Sequence, residues 1–323
     1  MSVHDLDLTA AFLDVGHGDA IVIRARDGRE VRTIVVDGGG PTHQDDLASY
    51  LLSNGITTVD LLVATHIDRN HIAGLLRVVE TDGITIGSFW GPGCESAQPS
   101  VPGLRFSDER LYQRLFSRVC DRARAGRVLT PVRGMQVPEI FSEIAITVLN
   151  PPVPNLQKAP PKDAPAKSPA DFLREQNELA TVLQIECRGL RILLASDAQG
   201  SFWSDVLADP ALQRYLDADI LKMPFYGLPG SLPPPVAAVV HTAYAVFSID
   251  ARGDKQPAGD VVGALRDMRA EVLCTEHAPE NTFCANPHCQ AANGGQNIVF
   301  CRARGEASYS TGAYFCPPKP SWG

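Results

Sequence analysis

Two imidazoles and a carboxylate fall within the stretch Thr65-His66-Ile67-Asp68-Arg69-Asn70-His71. Imidazole nitrogen and carboxylate oxygen are donors that Zn, Mn and Fe prefer, so this stretch has the composition of a metal-binding loop. Histidines at this spacing also occur on ordinary surfaces, and a short motif decides nothing by itself.

A second donor-rich stretch lies near the carboxyl end. Cys274-Thr275-Glu276-His277 is followed by Cys284-Ala285-Asn286-Pro287-His288-Cys289. C-x-x-H with C-x-x-x-H-C can place four N/S ligands around one ion, and closed tetrahedral Cys/His sites are structural. The expectation is a structural zinc drawing its ligands from Cys274, His277, Cys284, His288 and Cys289, with Cys301 as an alternative fourth ligand. The plainer reading is reduced cysteines, Cys301 facing the core of a strand over residues 298–302. Cys274, Cys284, Cys289, Cys301 and Cys316 crowd into the last part of a chain with eight cysteines. The first seven residues are acidic rather than basic and do not read as a secretion signal, so the clustering favours metal ligation over a disulfide framework. A cytoplasmic setting follows.

The elements that position the first loop are legible around it. Residues 59–64, Val-Asp-Leu-Leu-Val-Ala, form a short β-branched and apolar run that reads as a buried strand, and residues 72–79 read as a helix. A strand-to-helix turn aims side chains at one point. Residues 8–24 read as two strands joined by a Gly-rich acidic turn, and 33–40 as a strand ending in Asp37 and three glycines. Residues 45–54 and 108–125 carry helical periodicity, each closed by a glycine. Residues 181–187 and 191–195 form a hairpin whose second strand runs into Ser196-Asp197-Ala198. Further strands are read at 219–224, 236–240, 245–249 and 271–273, with a helix at 259–269. Strands that end in polar, Gly-rich loops and alternate with helices imply an α/β layered fold with its site along one sheet edge. Asp14, Asp19 and Asp37, each beside glycine, read as turn supports.

The ordered set FLDVGHGDA, VVDGGG, THIDRNHIAG, LLASDA and ADILKMPFYG resembles the metallo-β-lactamase fold family, in its ComEC-type hydrolase domain branch. The resemblance implies an αββα sandwich, two mixed β-sheets flanked by helices, as one domain over residues 1–305. It carries a Pro-rich insert at 150–170, the Cys/His-rich loop at 274–301, and a tail at 306–323. The family's metal loop is H-x-D-x-D-H, its first His and Asp serving one metal and its second Asp and last His the other. His66, Asp68 and His71 match, and Asn70 replaces the second Asp. Asp197 matches the carboxylate that bridges the two metals. The next loop supplies His-His-Gly in the family and is Phe225-Tyr226-Gly227 here, and a Gly-His-Pro element appears as Lys255-Gln256-Pro257.

These losses fall on the second metal. His66, Asp68 and Asp197 remain for the first, whereas the second keeps His71 and Asp197 beside a neutral amide and an aromatic ring. Two-metal hydrolysis uses one cation to lower the pKa of a water and the other to stabilise the leaving oxygen. The resemblance therefore implies a degraded active site with Zn or Mn weakly bound or absent, and a pseudoenzyme acting as a binding or regulatory module. The alternative is an active mononuclear metallohydrolase of the phosphodiesterase or nuclease class, as a component of a bacterial conflict or defence system.

Composition bounds the partners. In 323 residues, 44% are hydrophobic and 20% charged, ordinary for a soluble globular chain, and no apolar run approaches the length that spans a bilayer. A formal net charge of -8 argues against broad contact with nucleic acid and leaves room only for a local basic groove. A small, site-directed substrate or a protein partner is the easier expectation, and nothing in the sequence names the partner.

Overall fold

Apolar and β-branched runs build two facing sheets. The computed structural model describes residues 6–27, 30–93, 107–122, 127–136, 141, 143–153, 168–187, 189–250, 253, 256–276 and 297–303. The strands are β1 (Leu6–Phe12), β2 (Ala20–Asp27), β3 (Glu30–Gly38), β4 (Thr58–Val63), β5 (Thr85–Trp90), β6 (Val128–Leu129), β7 (Ile144–Asn150), β8 (Val182–Cys187), β9 (Leu190–Leu194), β10 (Asp217–Lys222), β11 (His241–Phe247), β12 (Glu271–Cys274) and β13 (Ile298–Ala303). One sheet runs β13-β1-β2-β3-β4-β5-β6 and the other β12-β11-β10-β9-β8-β7. Both are mixed. β1–β2–β3 are antiparallel and β3–β4–β5 parallel, while β9–β10–β11–β12 are parallel and β7–β8–β9 antiparallel.

The helices of eight or more residues are α1 (Asp46–Ser53), α2 (Arg69–Glu80), α3 (Ser107–Arg122), α4 (Pro169–Glu178), α5 (Gly200–Ala208) and α6 (Gly259–Asp267). Alternation along β1 sorts its side chains between two cores, as a period of two demands. Leu8, Ala10 and Phe12 pack inward with Ile146, Ile185 and Phe300 between the sheets. Ala11 and Leu13 face outward with Leu51 of α1, Ile72 and Leu75 of α2, and Leu115 of α3. On the far side, Phe202 and Val206 of α5 and Leu265 of α6 cover the second sheet. The result is the αββα layering that the resemblance implies.

Several elements differ from the sequence reading. α2 begins at Arg69, so Asn70 and His71 are helical. Asp68 caps it, its Oδ1 accepting from Asn70 N at 2.7 Å, and this local capping extends the helix one turn ahead of the apolar periodicity. Residues 236–240 are not a strand. Pro234–Ala237 is a short helical turn, because Pro233, Pro234 and Pro235 preset the helical φ and withhold the N–H groups a strand would donate. Pro169 and Ala170, assigned to an extended insert, open α4 instead, with Ser168 accepting from Asp171 N at 3.1 Å. The rest of that insert over 154–167 lies outside the described residues, as does the tail at 306–323. β5 escaped the sequence reading altogether. Among the described residues no helix is long and apolar enough to cross a membrane.

One close approach fixes α2 on the first sheet. A Cβ on Gly74 would lie 1.8 Å from the carbonyl oxygen of Gly38 at the end of β3. The bare backbone there seats the first turns of α2, and with them His71, directly against the end of the strand that carries Asp37.

Candidate metal centre

Parallel pairing of β3 with β4 and of β9 with β10 brings their carboxyl ends to one edge. β3 contributes Asp37 there, the loop after β4 contributes Thr65 and His66, and that after β9 contributes Ser196 and Asp197. β10 ends at Lys222 and turns through Phe225 and Tyr226. The β1–β2 loop adds Asp14, His17 and Asp19. Asp19, Asp37, Thr65, His66, His71, Ser196, Asp197 and Lys222 are all buried.

Thr65 organises the first imidazole. Its hydroxyl donates to Asp37 Oδ2 at 2.7 Å and accepts from Ser196 Oγ at 2.7 Å. With its single proton so committed, Thr65 Oγ1 can only accept from His66 Nδ1 at 2.9 Å. The proton of His66 therefore sits on Nδ1, and Nε2 is a bare lone pair. Burial, then the neighbouring His71, holds the His66 pKa below its ordinary value, in agreement with this neutral tautomer.

His71 is held from the same side. Its Nδ1 donates to Asp37 Oδ2 at 2.8 Å, and Asp37 is braced by the Thr65 N–H at 2.9 Å. A carboxylate behind a histidine fixes ring and tautomer and aims the other nitrogen outward. That nitrogen, Nε2, shares a hydrogen bond of 2.5 Å with the Tyr226 hydroxyl and lies 3.5 Å from Asp197 Oδ1. Burial disfavours the His71 charge, but Asp197 and Asp37 outweigh it and raise its pKa well above the ordinary histidine value. Burial likewise opposes the charge on Asp197, yet His71, His66 and Lys222 pull its pKa down to about 2.

His66, His71 and Asp197 each present one ligand atom within 4.8 Å of the others. Asp68, the fourth residue of the expected set, spends one oxygen on the helix cap and is not in that group. The side chain of Asn70 lies beside Gly40, its Oδ1 3.2 Å from where a Cβ would stand. Tyr226 is buried with its ring tilted at 40° against His17, centroids 3.9 Å apart, and burial with Asp197 and Asp19 nearby pushes its phenol pKa well up. Phe225 is partly buried beside it.

Two residues read as turn supports do more than that. Asp37 is the hub of the Thr65 and His71 bonds. Asp19 forms an ion pair with Lys222 Nζ at 2.7 Å, and Lys222, fully buried, also donates to the Met223 carbonyl at 3.0 Å. A lysine directly after the apolar pair Ile220-Leu221 at the end of the strand was the available signal. Only Asp14 keeps the turn role, accepting from Gly16 N at 3.4 Å. Strain gathers at the same edge. Four of the five described non-glycine residues with positive φ, namely Asp37, Ser196, Phe225 and Tyr226, line it, and such conformations cluster at functional sites.

The model of the metallo-beta-lactamase superfamily matches residues 13–142. With the two mixed sheets, the flanking helices and the donor-lined edge in place, the architecture is decided. The fold is the metallo-β-lactamase fold. The matched span contains Asp37, His66 and His71 and stops before Asp197 and Tyr226. Solved structures with a similar course of chain include the metallo-β-lactamase fold protein YhfI from Bacillus subtilis, 11% identical over 83% of this chain and 96% of that one, TM-score 0.44. Zn(2+)-bound PqqB from Methylobacterium extorquens is 12% identical over 82% and 97%, TM-score 0.47. A diphosphatase of the PhnP family is 12% identical over 83% and 87%, TM-score 0.41. No curated protein matches the chain in sequence.

Metallo-β-lactamase folds hold metal at this edge, and the donor set tests which metals this one fits. His66 Nε2 and Asp197 Oδ1 are buried and make no hydrogen bond. Leaving such atoms unbonded costs about 1–3 kcal/mol each, a cost that one cation between them removes. A single ion fits His66, His71 and Asp197. A second donor group, Asp19, Asp37 and His71, adjoins the first and shares His71 with it, while the positions that the resemblance assigns to a second ion carry an amide, Asn70, and a phenol bonded to His71. Of the Cys/His cluster, Cys274 ends β12 and is buried, and Cys301 is partly buried in β13. His277, Cys284, His288 and Cys289 lie outside the described residues. So does Lys255, while Gln256 donates to the carbonyls of Asp250 and Gly253 at 3.0 and 2.8 Å.

Proposed function

We propose that this chain is a metallo-β-lactamase-fold module of ComEC-type descent that binds or regulates and no longer hydrolyses through two metals. The observation that carries the reading is the Tyr226 hydroxyl at 2.5 Å from His71 Nε2. In a paired-ion site that nitrogen faces the second metal, and here it faces a phenol. Asn70 adds only a weak neutral donor in place of a carboxylate. What remains is a rigid, buried polar edge whose mouth carries His17 and Phe225, suited to recognition by a protein partner in the cytoplasm. The acidic balance gives nucleic acid no support. Turnover of a simple phosphodiester with excess zinc or manganese tests the proposal. Activity no higher than that of His66→Ala is expected, and turnover abolished by that substitution would overturn it.

A second reading, a single-metal hydrolase of the phosphodiesterase or nuclease class within a bacterial defence system, is favoured by the bare His66 Nε2 and Asp197 Oδ1. An ion bound there supplies Lewis acidity. The chain's own part is to hold it: Thr65 keeps the His66 proton on Nδ1, and Asp37 does the same for His71. A structural zinc in the cluster of Cys274, His277, Cys284, His288, Cys289 and Cys301 belongs to either reading. Zinc content unchanged by Cys284→Ser would remove it.

A further inference from the structure

We propose that Tyr226 is itself a metal ligand, the fourth donor of a single-ion site formed with His66 Nε2, His71 Nε2 and Asp197. The inference rests on the reading that the paired-ion site is gone. The sequence treats Tyr226 as a lost ligand because its ring cannot replace imidazole, but the hydroxyl, not the ring, is what reaches the site. It meets the one nitrogen of His71 that Asp37 leaves for a metal. The other two donors are open to an ion: His66 Nε2 is left a lone pair by the Thr65 bond behind its ring, and Asp197 Oδ1 is buried with no hydrogen bond, its neighbour being His71 Nε2 at 3.5 Å, itself one of the set.

The turn that delivers the phenol is built against backbone preference. Phe225 and Tyr226 are consecutive left-handed residues, φ 44° and 56°, at roughly 1–3 kcal/mol each. The turn is pinned at both ends. Phe225 N donates to the Ser196 carbonyl beside Asp197 at 2.8 Å, and the Gly227 carbonyl accepts from Ala258 N at 2.8 Å. Gly227, φ 75°, lies so close to Phe247 that a Cβ would stand 2.2 Å from its ring. The phenol is thus tied to the same strand end that presents Asp197. Two imidazoles, a carboxylate and a phenol oxygen form a mixed N/O set that suits one first-row transition ion such as zinc or iron. To hold the ion, the charged His71 would give up its Nε2 proton and Tyr226 its hydroxyl proton, both to water, leaving the nitrogen and the oxygen free as donors.

Loading the purified full chain with Fe(III) tests this, because phenolate bound to Fe(III) gives a visible charge-transfer band with tyrosinate modes in resonance Raman. Those modes separate it from any thiolate colour at the cysteines. The wild type is expected to bind one ion more than His66→Ala and to show the band. Tyr226→Phe is expected to lose it while keeping the far-ultraviolet circular dichroism of the wild type. Zinc affinity of the site should fall at least about 10–100-fold, the scale on which even outer-shell partners act. Should Tyr226→Phe not fold, the wild-type Raman modes decide. One ion bound without tyrosinate modes overturns this inference alone, whereas two ions bound at the site overturn the proposed function as well.

Discussion

The hydroxyl of Tyr226 lies 2.5 Å from Nε2 of His71, joining the turn after β10 to the first turn of α2 across 155 residues of chain. In the metal-free protein this bond satisfies a buried, charged imidazole. Tyr226→Phe should therefore destabilise the metal-free chain by about 1–3 kcal/mol, the cost of an orphaned buried donor. Urea unfolding with chelator present measures it, and a midpoint equal to that of the wild type would show that the bond contributes nothing.

Asp19 and Lys222 form the second buried charge pair, at 2.7 Å with both side chains sealed from solvent. Lys222→Met leaves a carboxylate uncompensated and is expected to cost roughly 3–5 kcal/mol, whereas Lys222→Met with Asp19→Asn should recover most of that loss. The two single variants and the double variant complete a cycle. Additive effects would mean that the pair is not coupled.

Asp14 gives stability a pH dependence. Burial, opposed by the Gly16 N–H and reinforced by Glu276, pushes its pKa up to about 6. In the unfolded chain it titrates near ~3.9. Between those values the folded state holds the extra proton, so stability falls as pH rises through the window and the Asp14 contribution is level above it. Asp14→Asn retains an acceptor for the turn and removes the titration. It should gain about 1–2 kcal/mol over the wild type at pH 7, after allowance for partial exposure, and little at pH 4. Unfolding free energies at the two pH values check this, and a gain of equal size at both would contradict it.

Much of the fold was legible because it is local. The opening hairpin, the strand before Thr65 and the strand into Asp197 each announce themselves by period and by glycine. The misreadings have local causes too: Asp68 starts α2 before its apolar periodicity begins, and three prolines turn residues 234–237 into a helix. The candidate site was legible only in its donors. That Asp37 organises His71 and Thr65, or that Asp19 pairs with Lys222, depends on which strand ends meet, and periodicity carries no record of that. The hydrogen bond from Tyr226 to His71 is likewise invisible in the sequence, because a residue type does not tell where its hydroxyl points.

On the proposed function, this edge no longer holds a pair of metals. Anomalous diffraction at the zinc edge, on crystals soaked in excess zinc, counts the ions directly. A single peak among His66, His71, Asp197 and Tyr226 is expected. Two peaks about 3.5–4 Å apart, the separation of paired-metal hydrolases, would contradict it.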